Sequence, residues 1–313
     1  MRKAFIEGLC ELAAHDDRIL LMTGDLGFMA LEPFRERFPA RFFNVGAAEQ
    51  NMIGLATGMA EAGFLPYAYS IATFAALRPF EFIRNGPVLH NLPVRIVGMG
   101  MGFEYGHSGP THYALEDVAA LRTLPGLTIV IPADSAQTHA AIRDTYDLPG
   151  PVYYSLGKDD RISVPGLNGE FQLGRVKVIG QGGDIAIVAM GSVSQEAAAA
   201  AQELSFRGVE TTVVVVSNFY PDPEEDLARV LSHFREVITV EAQTLSGGLG
   251  AFVAGVIAMR GLPCRLRTLG IGVPLDGTSG NQQDRWRKYG LDRDSITREI
   301  FGMLKLVAKA SHR

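Results

Sequence analysis

Short apolar runs alternate with helix-length stretches along nearly the whole chain, and few folds accommodate that pattern. Arg18–Thr23, Arg41–Val45, Leu65–Ser70, Val94–Gly98, Thr128–Ile131 and Val152–Leu156 read as strands. Between them lie predicted helices: one at the N-terminus with Phe5, Leu9, Leu12 and Ala13 on one side, then Pro33–Phe38, one opening at Glu49, a long one over Phe74–His90, one near Glu116, and Ser135–Tyr146 with Ser135 as its expected cap. Strands that alternate with helices in this way build a parallel sheet covered on both faces. After Asp159–Gly174, where Pro165-Gly166 and Asn168-Gly169 signal turns, a second series begins. Its strands are Ile185–Met190, Thr211–Val216, Val237–Glu241 and Cys264–Leu269. Its helices are Gln195–Arg207, Pro223–Phe234, Leu249–Met259 and a closing Ser295–Val307. The expected class is α/β, with two consecutive doubly wound domains over residues 1–165 and 175–313.

Ligands of such sheets bind beyond the carboxyl ends of the strands. Three sequence features fall there in the first domain: Glu49, Phe74 and the loop Gly98–His112. Glu49 opens a helix of small and apolar residues, with Gly54 and Gly58 on one face and Ala56 and Ala60 on another. By itself a carboxylate at that position complements the helix dipole. Small residues on two faces imply close packing on both, so the carboxylate is expected to be desolvated and able to share a proton with a ligand. The loop carries Gly98, Gly100, Gly102, Gly106 and Gly109, which suits a backbone wrapped around a ligand. It lacks the Lys and Ser/Thr of a phosphate-cradling P-loop. Gly247-Gly248-Leu249-Gly250 opens a later helix but lacks dinucleotide-site spacing, so its expected role is close packing of helix on sheet.

Composition narrows the function classes. The chain has 313 residues, is 47% hydrophobic and carries a net charge of −5, so it has no basic footprint for nucleic acid. Its two cysteines, Cys10 and Cys264, are far apart in apolar surroundings, as expected of buried hydrophobes in a reducing compartment. No secretory leader and no apolar run near the roughly 20 residues of a membrane span is apparent, which points to the cytoplasm.

Ala47-Ala48-Glu49-Gln50-Asn51, followed by Pro66, Tyr69, Thr73-Phe74 and Gly109-Pro110-Thr111-His112, resembles the C-terminal half of the transketolases. These thiamine-diphosphate enzymes move two-carbon ketol units. The resemblance covers almost the whole chain and implies a pyrimidine-binding domain followed by a transketolase C-terminal domain, the latter largely structural. It implies that Glu49 bonds the N1′ nitrogen of the cofactor's aminopyrimidine and that Phe74 stacks on that ring. Phe80 matches another family aromatic, and Arg78 resembles an arginine of deoxyxylulose-phosphate synthase. Glu49 and His112 are thus the implied catalytic residues, and Glu49, Phe74, Arg78 and Phe80 the implied cofactor contacts. A histidine in a ligand loop can bond hydroxyls and move protons near neutrality.

Departures bear on the substrate. Family members usually read Gly-Glu-Asp-Gly-Pro-Thr-His-Gln, whereas this chain reads Gly106-His107-Ser108-Gly109-Pro110-Thr111-His112-Tyr113. Ser108 therefore replaces the aspartate that reads the sugar hydroxyl, and His107 adds a donor beside it. A histidine of the family's phosphate clamp falls at Gly100, and its arginine at Lys158, which keeps a charge without the bidentate fork. His107, Ser108, His112 and Lys158 are the expected substrate contacts. The Gly-Asp-Gly…Asn motif that holds Mg²⁺ and the diphosphate is not found, so this chain is expected to contribute no metal ligand. A separate N-terminal diphosphate-binding subunit would supply that half in an α2β2 assembly, acting on a small ketose donor and an aldehyde or other acyl acceptor. A decarboxylating synthase-like or oxoacid-dehydrogenase-like subunit, and a non-catalytic paralogue, are the alternatives.

Overall fold

The computed structural model describes residues 1–180 and 182–310. Its α-helices and strands begin with α1 (Arg2–Ala13), β1 (Ile19–Thr23), α2 (Glu32–Arg37), β2 (Phe42–Asn44), α3 (Glu49–Glu61), β3 (Leu65–Ile71), α4 (Ala72–Ala76), α5 (Phe80–Ile83), β4 (Arg95–Met99), α6 (Asp117–Leu121), β5 (Thr128–Val130) and α7 (Ser135–Thr145). There follow β6 (Val152–Leu156), β7 (Val176–Ile179), β8 (Ile185–Met190), α8 (Ser194–Phe206), β9 (Thr211–Val216), β10 (Asn218–Phe219), α9 (Glu224–Leu231), β11 (Glu236–Thr244), α10 (Leu249–Arg260), β12 (Arg265–Ile271), α11 (Gln282–Tyr289) and α12 (Arg293–Ala310).

Two sheets result, ordered β10-β5-β6-β4-β3-β1-β2 and β12-β11-β8-β9-β7. Their central strands pair in parallel and are buried along their length, which is why they read as unbroken apolar runs. Two edge strands run antiparallel: β7 on β9, and β10 on β5. Neither was expected from the sequence. β7 has four residues with Lys177 among them, and β10 has two, so neither carries a strand-length apolar pattern. β10 follows the second series yet completes the first sheet, and Ile131 N–H donates to the Ser217 carbonyl at 2.7 Å beside it. One apolar cluster runs through both sheets, from Met52, Ala68 and Ile96 to Val188, Val214 and Val253. The two domains are therefore joined by a continuous core.

Three local expectations are corrected. The helix predicted over Phe74–His90 is broken into α4, α5 and a π turn at Arg84–Val88, because Pro79 and Pro87 lack the N–H that would continue the ladder. Asp134, not Ser135, caps α7, accepting the Gln137 N–H at 2.9 Å. Finally, α3 buries Met52, Ile53, Ala56 and Ala60, while the face with Gly54, Leu55 and Gly58 is exposed. Close packing thus exists on one face of that helix and not, within this chain, on both. No helix among the described residues is long and apolar enough to cross a membrane.

Candidate active site

Glu49 stands at the first turn of α3, where the chain leaves β2 at the carboxyl edge of the first sheet. Only 2% of it is exposed. A buried carboxylate needs partners, and it has two: Ser70 Oγ, at the end of neighbouring β3, donates to Oε1 at 3.0 Å, and Arg78 Nη1 donates to Oε2 at 3.0 Å. The Arg78 guanidinium also lies over the Phe74 ring, 3.7 Å from its centre. His112 meets the same ring edge-on at 5.1 Å, and Thr111 Oγ1 lies 2.9 Å from its Nδ1. Residues 49, 70, 74, 78 and 112 thus form one cluster across the ends of three sequence segments.

The row of rings continues outward. Tyr105 lies 6.5 Å from His112, and Lys158 Nζ sits over Tyr105 at 4.5 Å. Tyr105 fills the space in front of Gly100, where a Cβ would come 2.2 Å from its ring. The position of the family's clamp histidine therefore has no room for a side chain here. Beyond Lys158 a cavity of about 930 Å³ opens between the domains, lined by Arg2, His107 and Lys158 on one side and by Gln195, Gln282 and Trp286 on the other. Arg161 in its wall is paired with Asp159 at 2.8 Å, whereas no such ion pair engages Arg2 or Lys158 among the described residues. Glu104 accepts the Lys158 backbone N–H, and burial pushes its carboxyl up to about 7 despite that bond. Ser108 is exposed on the turn that carries His107.

The second domain holds this loop directly. Gly280 N–H donates to the Gly106 carbonyl at 3.1 Å, and Tyr113 Oη donates to the Thr278 carbonyl at 2.8 Å. Arg285 secures the other side of that segment through Nη2 to the Ser279 carbonyl at 3.1 Å. Gly106 must be glycine for this contact, since a Cβ there would stand 2.1 Å from the Gly280 oxygen.

Residues 1–160 match the family model for the transketolase pyrimidine binding domain, and residues 174–296 match that for the transketolase C-terminal domain. The chain belongs to the transketolase family. It is 33% identical to an apulose-4-phosphate transketolase subunit of Phocaeicola vulgatus over 97% of each chain. It is also 33% identical to a 6-deoxy-6-sulfo-D-fructose transketolase subunit of a Clostridium species, over 95% of this chain and 92% of that one. A solved split-gene transketolase, described as an inactive β4 tetramer, superposes with a TM-score of 0.84 at 33% identity, covering 97% of this chain and 98% of that one. Transketolase relatives that are themselves separate subunits thus match this chain end to end.

Of the residues singled out from the sequence, Glu49, Arg78, Phe74 and His112 come together, and His107 and Lys158 line one cavity beside them. Phe80 opens α5 just after Pro79 and packs against the apolar core. Sequence reading missed Ser70, Arg2, Tyr105 and Glu104. Ser70 closes a strand facing Glu49, a placement the strand pattern could have suggested, whereas Arg2 reaches the cavity only through folding.

Proposed function

We propose that this chain is the small subunit of a two-chain, thiamine-diphosphate-dependent transketolase, with its pyrimidine-binding domain over 1–165 and its C-terminal domain over 175–313. The observation that carries the reading is the buried Glu49 carboxylate set close to the Phe74 ring, with Arg78 between them, at the mouth of a parallel sheet. A buried acid beside an aromatic plate fits a protonatable aromatic ring: the plate orients the ring, and the acid shares a proton with one ring nitrogen. Thiamine diphosphate, when bound, supplies the nucleophilic carbon that cleaves a ketose donor. This chain's part is to hold the ring, with Phe74 as platform and Glu49 at N1′, and to keep water from Glu49 by the packing of α3 against β3. His112, at the platform's edge, is placed to donate to and accept from the reacting oxygen.

His107, Lys158 and Arg2 suit an acceptor with an anionic end, since Lys158 and Arg2 are cations engaged in no ion pair among the described residues. The names of the two relatives, each built on a ketose with a phosphate or sulfo group, support an anionic end on the sugar substrates. Ser108 is assigned to the acceptor's hydroxyls. Among the described residues no group of three or more His, Cys, Asp or Glu side chains could hold a metal. On the family resemblance, Mg²⁺ and the diphosphate are assigned to the partner, an N-terminal transketolase subunit in an α2β2 assembly, which would also cover the exposed Gly54 and Gly58 face of α3. The test is reconstitution: this chain, its diphosphate-binding partner, Mg²⁺ and thiamine diphosphate together should convert a ketose phosphate and an aldehyde into new ketose and aldehyde products, and each chain alone should not. Carbon dioxide released from pyruvate in place of ketol transfer would assign the complex to the decarboxylating relatives. Turnover by this chain alone would overturn the two-chain reading.

A further inference from the structure

The two contacts that the reading above gives to the aminopyrimidine are already taken in this chain. The Arg78 guanidinium lies over Phe74 at 3.7 Å and donates to Glu49 Oε2 at 3.0 Å. Glu49's other oxygen is engaged by Ser70, and His112 stands at the edge of the Phe74 ring. A ring that both stacks on Phe74 and reaches Glu49 would occupy the space the guanidinium now fills.

We propose that Arg78 is a placeholder for the cofactor ring, holding Glu49 and Phe74 in their binding arrangement while the chain is unloaded and vacating the slot before the ring enters. The proposal rests on the assignment of that slot to thiamine diphosphate. Electrostatics explain why something must stand there. Glu49 is buried and its other partner, Ser70, is neutral, so without a cation its charge would be uncompensated in a desolvated site. Side-chain geometry explains why the residue is arginine. A guanidinium is planar, stacks on an aromatic face and donates hydrogen bonds in its own plane, as a protonated nitrogen heterocycle does, whereas an ammonium has no plane to stack. The local fold explains how it can leave. Arg78 follows the last turn of the short α4 and precedes Pro79, and its side chain is 45% exposed against 3% for Glu49. It can therefore swing toward solvent without breaking a helix. A slot that is closed part of the time lowers the apparent cofactor affinity by the fraction of time it is open.

The experiment is titration of the reconstituted two-chain complex with thiamine diphosphate at saturating Mg²⁺, by calorimetry for affinity and stopped-flow fluorescence for rates. Arg78→Met, which can neither stack as a plane nor pair, should bind about tenfold tighter, with faster association and unchanged dissociation. Arg78→Lys keeps a charge for Glu49 but not the stacked plane, and should lie between, at about threefold. Equal or weaker binding by Arg78→Met, or slower association, would overturn the placeholder and assign Arg78 a contact with the bound cofactor. Should Arg78→Met fail to assemble, the sign of the Arg78→Lys change decides. Failure of the wild-type complex to bind thiamine diphosphate at all would instead remove the functional reading, and this inference with it; binding by wild type with weaker binding by both variants removes the inference alone.

Discussion

Glu104 and Lys158 are 54 residues apart, and their meeting at the cavity between the domains makes a prediction at the scale of a single side chain. Burial lifts the Glu104 carboxyl from an ordinary 4.5 to about 7, so folding favours its protonated form. The stability linked to that preference is complete below pH 4.5 and is lost as the pH rises through 7. Glu104→Gln is neutral at every pH and should therefore stabilise the protein by about 3 kcal/mol at pH 8 while changing little at pH 4. Urea unfolding at the two pH values measures this, and an equal effect at both would show that the carboxyl does not titrate in this range. Residues of this kind mark the limit of sequence reading. Glu49 and Phe74 were legible because each sits at the start of a helix just after a strand, where strand ends converge. Glu104, Tyr105 and Arg2 were not, because only the folded chain shows that Tyr105 fills the space before Gly100 and that Arg2 reaches the cavity of Lys158.

At the scale of elements, the loop that carries His107, Ser108 and His112 depends on a segment of the other domain. A methyl group at Gly106 would collide with the Gly280 carbonyl and push the segment at Thr278–Gly280 away. Gly106→Ala should therefore raise the acceptor KM by up to about a hundredfold, as a displacement of about 1 Å in positioning groups can, with a smaller loss in donor cleavage. Half-reaction and full-turnover kinetics separate the two, and equal losses in both would mean that the latch acts on the whole site. A second element-scale prediction concerns α10. Both oxygens of Glu241, in the second half of β11, accept the Leu249 and Gly250 N–H groups at 2.7 Å, which satisfies buried donors of the first turn. Glu241→Ala should cost about 2–3 kcal/mol in thermal or urea unfolding; a loss under about 1 kcal/mol would show that other groups replace the cap. The strands and most helices were legible from apolar runs of strand or helix length. The breaks at Pro79 and Pro87 were present in the sequence as proline rules and were overridden by the apolar pattern around them. The edge strands β7 and β10 were hidden because so few residues form them, and β10 pairs with a strand far earlier in the chain.

On the scale of the whole molecule, a core continuous through both sheets makes the two domains one support for the site, while α3 leaves Gly54, Leu55 and Gly58 uncovered. Partner association should slow amide exchange over α3 in the complex relative to this chain alone, read by mass spectrometry; no change there would place the partner on another face. The alternating pattern revealed the two sheets but not which helix face the chain leaves bare, because small residues pack equally well against their own sheet or a second protein. The proposed function requires one carboxylate, Glu49, to act on a ring held by this chain in a site that another chain completes. The most direct test is ketol transfer by the reconstituted complex with wild-type chain and with Glu49→Ala, at saturating thiamine diphosphate and Mg²⁺. Turnover reduced by about a thousandfold or more in an assembled, cofactor-loaded variant is the predicted result; retention of a tenth or more of wild-type turnover would contradict it.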